Sequence, residues 1–330
     1  MRIDTIGIIG AGGIGRKHIS VVGSYRPRTK IVSIRHNPDL NVNADSGAIV
    51  EVQNIQQAID LKIQAAVVCS PASMHVSQAI ELLNSNIPVL VEKPLSSTLT
   101  EASRVIDIDD RSTEAFLLGY CLRHTQGLNL VKSYLDDARL GRILHARIYC
   151  SSYLPNWRPE RDYRSTASSS LSFGGGALLE LSHEIDYANW LFGPLDKLVA
   201  NLCQSKALDI DVEDAVDVIV INQAGVPINI HLDFCSHRGC RECIIEGVLG
   251  DVHWDLVSGR VTWRSLDGIK EVTEFSADVE SSFHRQMVHF FDCVENGVQP
   301  IVTLQDGCDV LKIIEAIRMS EKGRKWVEIL

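Results

Sequence analysis

TIGIIGAGGIGRKH, residues 5–18, decides the fold of this chain. A short apolar run rich in β-branched residues reads as a buried strand, and Gly10, Gly12, Gly13, Ile14 and Gly15 follow it and open a helix. The first glycine of such a G-x-G-x-x-G turn permits the tight bend, the second lets a pyrophosphate approach the backbone, and the third lets helix pack on strand. The free N–H groups at the helix start then face the phosphates. A strand before and a helix after give the pattern its force, and together they predict a dinucleotide-binding unit.

The same alternation continues beyond residue 18. The strand-like runs KIVSIRH, AAVVCS, PVLVEKP and AFLLGY are separated by helical segments such as SMHVSQAIELLNSN and one from Thr100, which implies an α/β, doubly wound parallel sheet. From about residue 143 the grammar changes. RILHARIYCSSY, LDKLVANLCQSK, AVDVIVINQ, PINIHLDF, RECIIEGVLG and GRVTWRSL follow one another with one helical segment between the first two, implying a large, mostly antiparallel sheet in an α+β domain. The runs SFHRQMVHFFDCVENG and LQDGCDVLKIIEAIRMSEKG return to helix. The expected division is a dinucleotide-binding domain over 1–122 and a substrate and oligomerisation domain over 123–330, with the C-terminal helices packing back on the first.

The chain of 330 residues suits two domains, and 45% hydrophobic with 22% charged residues is the balance of a folded protein. A formal charge of −10 without a long Lys/Arg run argues against nucleic acid held through phosphates, although an acidic surface does not prevent a local basic pocket. No apolar run reaches the ~18 residues of a membrane-spanning helix. The N-terminus has no signal-peptide pattern and nine cysteines are scattered without framework spacing, so a cytoplasmic location is expected. Cys235, Cys240 and Cys243 with His231 and His237 fall in strand-like alternation without a completing ligand pair, and no metal site is expected.

The second strand ends in Arg35-His36-Asn37, where NAD enzymes place a carboxylate on the ribose hydroxyls. A guanidinium there pairs with a 2′-phosphate, so NADP(H) is favoured and NAD(H) remains open, since Arg35 can also stack on adenine without discriminating. Two later strands end in polar groups at the carboxyl edge of the sheet, where ligands of doubly wound folds bind. These are Ser70, Pro71 and, one helical turn on, His75; and Glu92-Lys93-Pro94. A lysine at the end of a buried strand must find partners or lose its proton, which suits proton transfer but also describes a snorkelling side chain.

GGGALLELSHEIDYANWLFG, residues 174–193, holds the other candidate. Laid on a continuous helix at about 100° per residue, Leu178, Leu181, Ile185, Ala188 and Phe192 form one stripe, and His183 shares a second face with Glu180, Asp186, Tyr187 and Trp190. By residue type alone this is either a hydrogen-bonded structural network or a proton-transfer site. SSYLPNWRPERDYR, residues 151–164, interleaves Tyr153, Trp157 and Tyr163 with Arg158, Arg161 and Arg164. Aromatic faces suit sugar rings and arginines suit phosphate or carboxylate, although a surface loop packing its aromatics reads the same way. Arg123, after AFLLGY, is a further substrate candidate, and the STASSS run at 165–170 reads as a mobile loop.

GIIGAGGIGRKH, VVCSPASMHVSQAIELL, VLVEKPLSST, LLGYCLRH and the glycine-rich histidine segment stand in the order and spacing of the Gfo/Idh/MocA oxidoreductases, which this chain resembles from residue 3 to its end. The resemblance implies an N-terminal Rossmann domain and a C-terminal domain whose open-faced sheet often makes a homodimer or homotetramer. It implies hydride exchange between a nicotinamide and a hydroxyl or keto carbon of a sugar, nucleotide sugar or cyclitol. Lys93 matches the family's EKP lysine, His183 its usual general acid/base and Asp186 the aspartate that follows. The family's aspartate four residues before that histidine is Leu179 here, and Glu180, three before, is the nearest acid. Two other activities occur among such proteins: a glycosidase that oxidises transiently with a bound nicotinamide, and a non-catalytic sensing regulator.

Overall fold

Short β-branched runs alternating with helices produce the expected parallel sheet. The computed structural model describes residues 2–35, 49–106, 116–275 and 279–330, which fall into two units, 1–121 with 280–308 and 122–279 with 309–330. In the first unit β1 (Thr5–Ile9), α1 (Gly13–Tyr25), β2 (Lys30–Ile34), β3 (Ile49–Val52), α2 (Ile55–Asp60), β4 (Ala65–Val68), α3 (Ala72–Leu83), β5 (Val89–Val91), α4 (Leu99–Ile106) and β6 (Phe116–Leu118) follow in order. The strands pair in parallel in the order β3-β2-β1-β4-β5-β6. Strand order reverses between β1 and β4, and their carboxyl ends flank the crevice that such sheets use for ligands. Ile6, Ile8, Val32, Val67, Leu90 and Leu118 are fully buried, as strands covered on both faces require.

A helix from far along the chain completes this unit. Glu280–Asn296 lies against α1, with Phe283 edge-on to His18 at 5.5 Å and Phe291 edge-on to Tyr25 at 5.9 Å. Glu295 accepts two hydrogen bonds from the Arg26 guanidinium, at 2.9 and 2.8 Å, and one from the Ile3 N–H at 2.7 Å. The pair holds Arg26 above its ordinary pKa, through the hydrogen bond to Glu295 first.

The second unit carries α5 (Gln126–Asp136), β7 (Ile143–Ser151), α6 (Ala177–Glu180), α7 (His183–Phe192), β8 (Leu195–Cys203), β9 (Ala215–Asn222), β10 (Pro227–Asp233), β11 (Cys240–Gly247), β12 (Gly250–Asp255), β13 (Arg260–Ser265), β14 (Lys270–Glu274) and β15 (Val327–Glu328). They form a nine-stranded sheet, β14-β13-β12-β11-β7-β10-β9-β8-β15. Every neighbouring pair is antiparallel except β7 with β10. Alternation sets the two faces: Val216, Val218 and Val220 of β9 are buried, while Asp217 and Ile219 between them are exposed. The RECIIEGVLG run does not continue as one strand but turns into the hairpin of β11 and β12. Strands β3, β14 and β15 and helix α2 were not anticipated; all are short, and β14 is largely exposed and lacks a clear apolar pattern.

No helix among the described residues is long and apolar enough to cross a membrane, and all nine cysteines are free thiols.

Candidate active site

The turn after β1 has the geometry its glycines require. Gly10 sits at φ +90°, and its N–H reaches the Ile34 carbonyl at 3.1 Å. A Cβ on Gly15 would stand 1.8 Å from the Gly10 carbonyl oxygen, so helix and turn touch there only because no side chain intervenes. At Gly12 and Gly13 a Cβ would meet nothing within 4 Å, so the backbone at the mouth of the turn lies open. The first turn of α1 carries no acidic side chain. An open glycine turn before an uncapped helix start, without a competing carboxylate, fits a dinucleotide pyrophosphate. Ile14 stands exposed at its edge.

Arg35, after β2, is buried, and its guanidinium lies 3.3 Å from the carboxylate of Glu51 on β3. His36 lies outside the described residues. At the end of β4 the Ser70 hydroxyl donates to Gln78 Oε1 at 2.7 Å, and Pro71 caps α3. His75 on α3 is buried and reaches two carbonyls, Pro94 from Nδ1 and Ser70 from Nε2, each at 2.8 Å. Burial pushes its pKa down against the pull of those carbonyls. His75 thus ties the turn after β4 to the turn after β5.

The Glu92-Lys93-Pro94 turn is built on a buried carboxylate. Glu92 Oε1 lies 2.7 Å from Nε2 of fully buried His18, and Oε2 accepts the Lys93 N–H at 3.2 Å. A Cβ on Gly119 would approach that carboxylate within 2.9 Å, which is why the strand after β5 must offer glycine there. Lys93 itself is half-buried, and the Lys93–Pro94 peptide is cis. The Glu92 carboxylate thus serves the turn's own framework.

In the second unit the histidine segment departs from the predicted single helix. Leu181 and Ser182 break it, with Ser182 and Glu184 N–H groups reaching only three residues back, to Leu179 at 3.4 Å and Leu181 at 3.3 Å. His183 therefore opens α7, and Glu180 ends α6 on the other side of the break. Glu180 accepts a hydrogen bond from the Ser168 hydroxyl at 3.0 Å. Gly176 precedes α6 at φ +107°, where a Cβ would come within 2.3 Å of Glu213. His183 is 9% exposed.

On the face predicted to be polar, His183, Asp186 and Tyr187 are buried, and Glu180 and Trp190 are half-buried. Asp186 accepts both arms of the Arg123 guanidinium, at 3.0 and 2.6 Å, and neither side chain is more than 3% exposed. The Arg123 guanidinium also lies over Trp190, 5.5 Å from the ring centre. One residue expected to meet substrate and one expected to assist catalysis are thus partners of each other. Fully buried Glu184 pairs with Arg241 of β11 at 2.8 Å. Burial works against the Arg241 charge, yet Glu184 and the Cys150 thiol hold its pKa above the ordinary value. Burial and Glu184 push the Cys150 thiol up to about 12.

The segment after β7 is more ordered than its composition suggests. Trp157 donates to the Ser152 hydroxyl at 2.6 Å and stands edge-on to Phe234, while Tyr153 lies against His237 with ring centres 4.2 Å apart. Arg164 is held by Asp162 through three hydrogen bonds of 2.9–3.1 Å, beside half-buried Tyr163. Arg158 is half-buried. The STASSS run forms short 3-10 turns with Ser168 and Ser169 buried.

Residues 5–120 match the pattern of an oxidoreductase family with an NAD-binding Rossmann fold, and residues 132–329 match that family's C-terminal alpha/beta domain. The chain belongs to the Gfo/Idh/MocA oxidoreductases. This Gfo/Idh/MocA chain is 24% identical to 1,5-anhydro-D-fructose reductase of Ensifer adhaerens over 322 residues, 91% of each chain. It is 29% identical to glucose-6-phosphate 3-dehydrogenase of Bacillus subtilis over 191 residues, 57% of this chain and about half, 53%, of that one. Levoglucosan dehydrogenase, solved in complex with NADH and levoglucosan, has the same fold at a TM-score of 0.86, with 20% identity over 98% of this chain and 99% of that one.

Three residues of the clusters described in the two units were not singled out from the sequence. His18 stands one turn after the glycine motif on the buried side of α1, where an imidazole needs a polar partner. Glu184 adjoins His183, and Glu51 lies on a strand too short to be recognised.

Proposed function

We propose that this chain is a nicotinamide-dependent dehydrogenase or reductase acting on a secondary hydroxyl, or the matching ketone, of a sugar derivative or cyclitol. The observation that carries the reading is His183, a buried imidazole opening a helix whose Glu184 and Asp186 each pair with an arginine. With Glu184 and Asp186 each paired with an arginine, proton transfer is assigned to the imidazole. Bound at the glycine turn, held by Gly10, Gly12, Gly13 and Gly15, a nicotinamide dinucleotide supplies the hydride acceptor. His183 takes the hydroxyl proton as the carbonyl forms and returns it in the reverse direction. Lys93, by its match to the family's EKP lysine, is assigned to steadying negative charge on a substrate oxygen.

The activities of the relatives support a polyhydroxylated substrate: a reductase of 1,5-anhydro-D-fructose and a dehydrogenase of glucose 6-phosphate. Aromatic Tyr153 and Trp157 offer faces for a sugar ring, and Arg158 and Arg161 are the arginines of that segment proposed to meet an anionic substituent, because Asp162 holds Arg164. The expectation of NADP(H) rested on Arg35, which faces Glu51, so the function is read for either dinucleotide.

The test mixes the purified protein with NAD⁺ or NADP⁺ and a panel of free sugars, sugar phosphates, nucleotide sugars and inositols, and runs the keto compounds in reverse. Nicotinamide absorbance is expected to change stoichiometrically with one class. Silence across the panel from a protein that binds dinucleotide removes the reading.

The outer face of the nine-stranded sheet is proposed as the contact of a homodimer or homotetramer. A concavity of about 500 Å³ there is lined by Tyr149, Val199, Asn201, Ile219 and Ile244. Ile219→Lys is expected to lower the mass measured by light scattering; a parent protein that is already monomeric ends this proposal.

A further inference from the structure

The end of β2 holds two opposite charges where a Rossmann unit ordinarily shows one. Strands β2 and β3 pair in register from Ile31 with Ile49 to Ile34 with Val52, and the Arg35 N–H extends the ladder to the Val52 carbonyl at 2.9 Å. Glu51, opposite Ser33, is thereby placed beside the arginine, at 3.3 Å between guanidinium and carboxylate. The Arg35 side chain is 5% exposed and that of Glu51 45%, so the carboxylate is the half of the pair that meets solvent.

A carboxylate in this region of the fold accepts hydrogen bonds from the ribose hydroxyls of NAD, and an arginine pairs with the 2′-phosphate of NADP. We propose that Glu51, on the third strand rather than the second, sets the dinucleotide preference of this chain and turns it towards NAD(H). Arg35 enters with its charge already countered. A 2′-phosphate brings roughly 1.5–2 negative charges, which must share the guanidinium with Glu51 at a few ångströms and repel it. A ribose diol brings no charge and finds in Glu51 an acceptor for its hydroxyl protons. The inference rests on the reading that the first unit binds a nicotinamide dinucleotide, and it reverses the preference that Arg35 alone suggests.

The experiment is a binding titration of the full chain with NADH and with NADPH, followed by nicotinamide fluorescence at one fixed salt concentration. The parent is expected to hold NADH the tighter. Glu51→Gln keeps the side chain's size and removes its charge; it should improve NADPH relative to NADH by about tenfold or more. Arg35→Gln added to Glu51→Gln should abolish that gain, which a general loosening of the turn would not do. A parent that prefers NADPH, or an affinity ratio that Glu51→Gln leaves unchanged, overturns the assignment. A parent that binds neither dinucleotide overturns the underlying reading, and this inference with it.

Discussion

His183→Asn lowers the rate of hydride exchange by about a hundredfold or more, the lower end of what a positioned general acid/base contributes, equivalent to about 2.7 kcal/mol in the barrier. Asparagine fills much of the imidazole's volume and hydrogen-bonds, but it cannot exchange a proton near neutral pH. The loss should fall on the chemical step, read in a single turnover, with dinucleotide affinity close to the parent's because the glycine turn belongs to the other unit. Lys93→Met should act with similar size, since charge stabilisation at a developing oxyanion is of comparable worth. Unchanged single-turnover rates in both variants would leave the polar helix as a structural network only.

Asp186→Leu or Arg123→Met, each alone, should destabilise the second unit by about 3–5 kcal/mol, because either leaves an uncompensated charge where almost no water reaches. At roughly 2–4 °C per kcal/mol for a unit of this size, the melting temperature should fall by roughly 6–20 °C. The double variant should recover much of the loss, since an apolar pair of similar volume carries no desolvation cost. Thermal unfolding of the four proteins forms a double-mutant cycle. Strict additivity would mean that the ion pair contributes nothing as a pair.

The parts readable from sequence are those whose physics is local. Gly10 and Gly15 declare a turn because each meets a nearby backbone constraint, and β1, β2, β4 and β5 announce themselves by short apolar runs. The Glu92-Lys93-Pro94 turn was visible as polar residues at a strand end. His183 was visible as a residue type, but its setting was not. The partners that bury its helix, Arg123 for Asp186 and Arg241 for Glu184, lie 63 and 57 residues away in sequence. Periodicity also could not show the break at Leu181 and Ser182, because both residues are compatible with a helix. Glu51 escaped for the same reason: the charge opposite Arg35 belongs to a neighbouring strand, and register is a tertiary fact.

The helix Glu280–Asn296 has a consequence for biosynthesis. Chains emerge from the ribosome at roughly 5–20 residues per second, and domains generally fold as they appear. Here the dinucleotide-binding unit is interrupted after Cys121 and resumes only at Glu280, so its closing helix arrives on the order of ten seconds or more later. Until then His18 lacks Phe283, Tyr25 lacks Phe291 and Arg26 lacks Glu295. The nascent Rossmann sheet therefore waits for that helix throughout synthesis of the second unit. Residues 1–121 are not a portable cassette, and grafting this unit elsewhere requires carrying 280–308 with it.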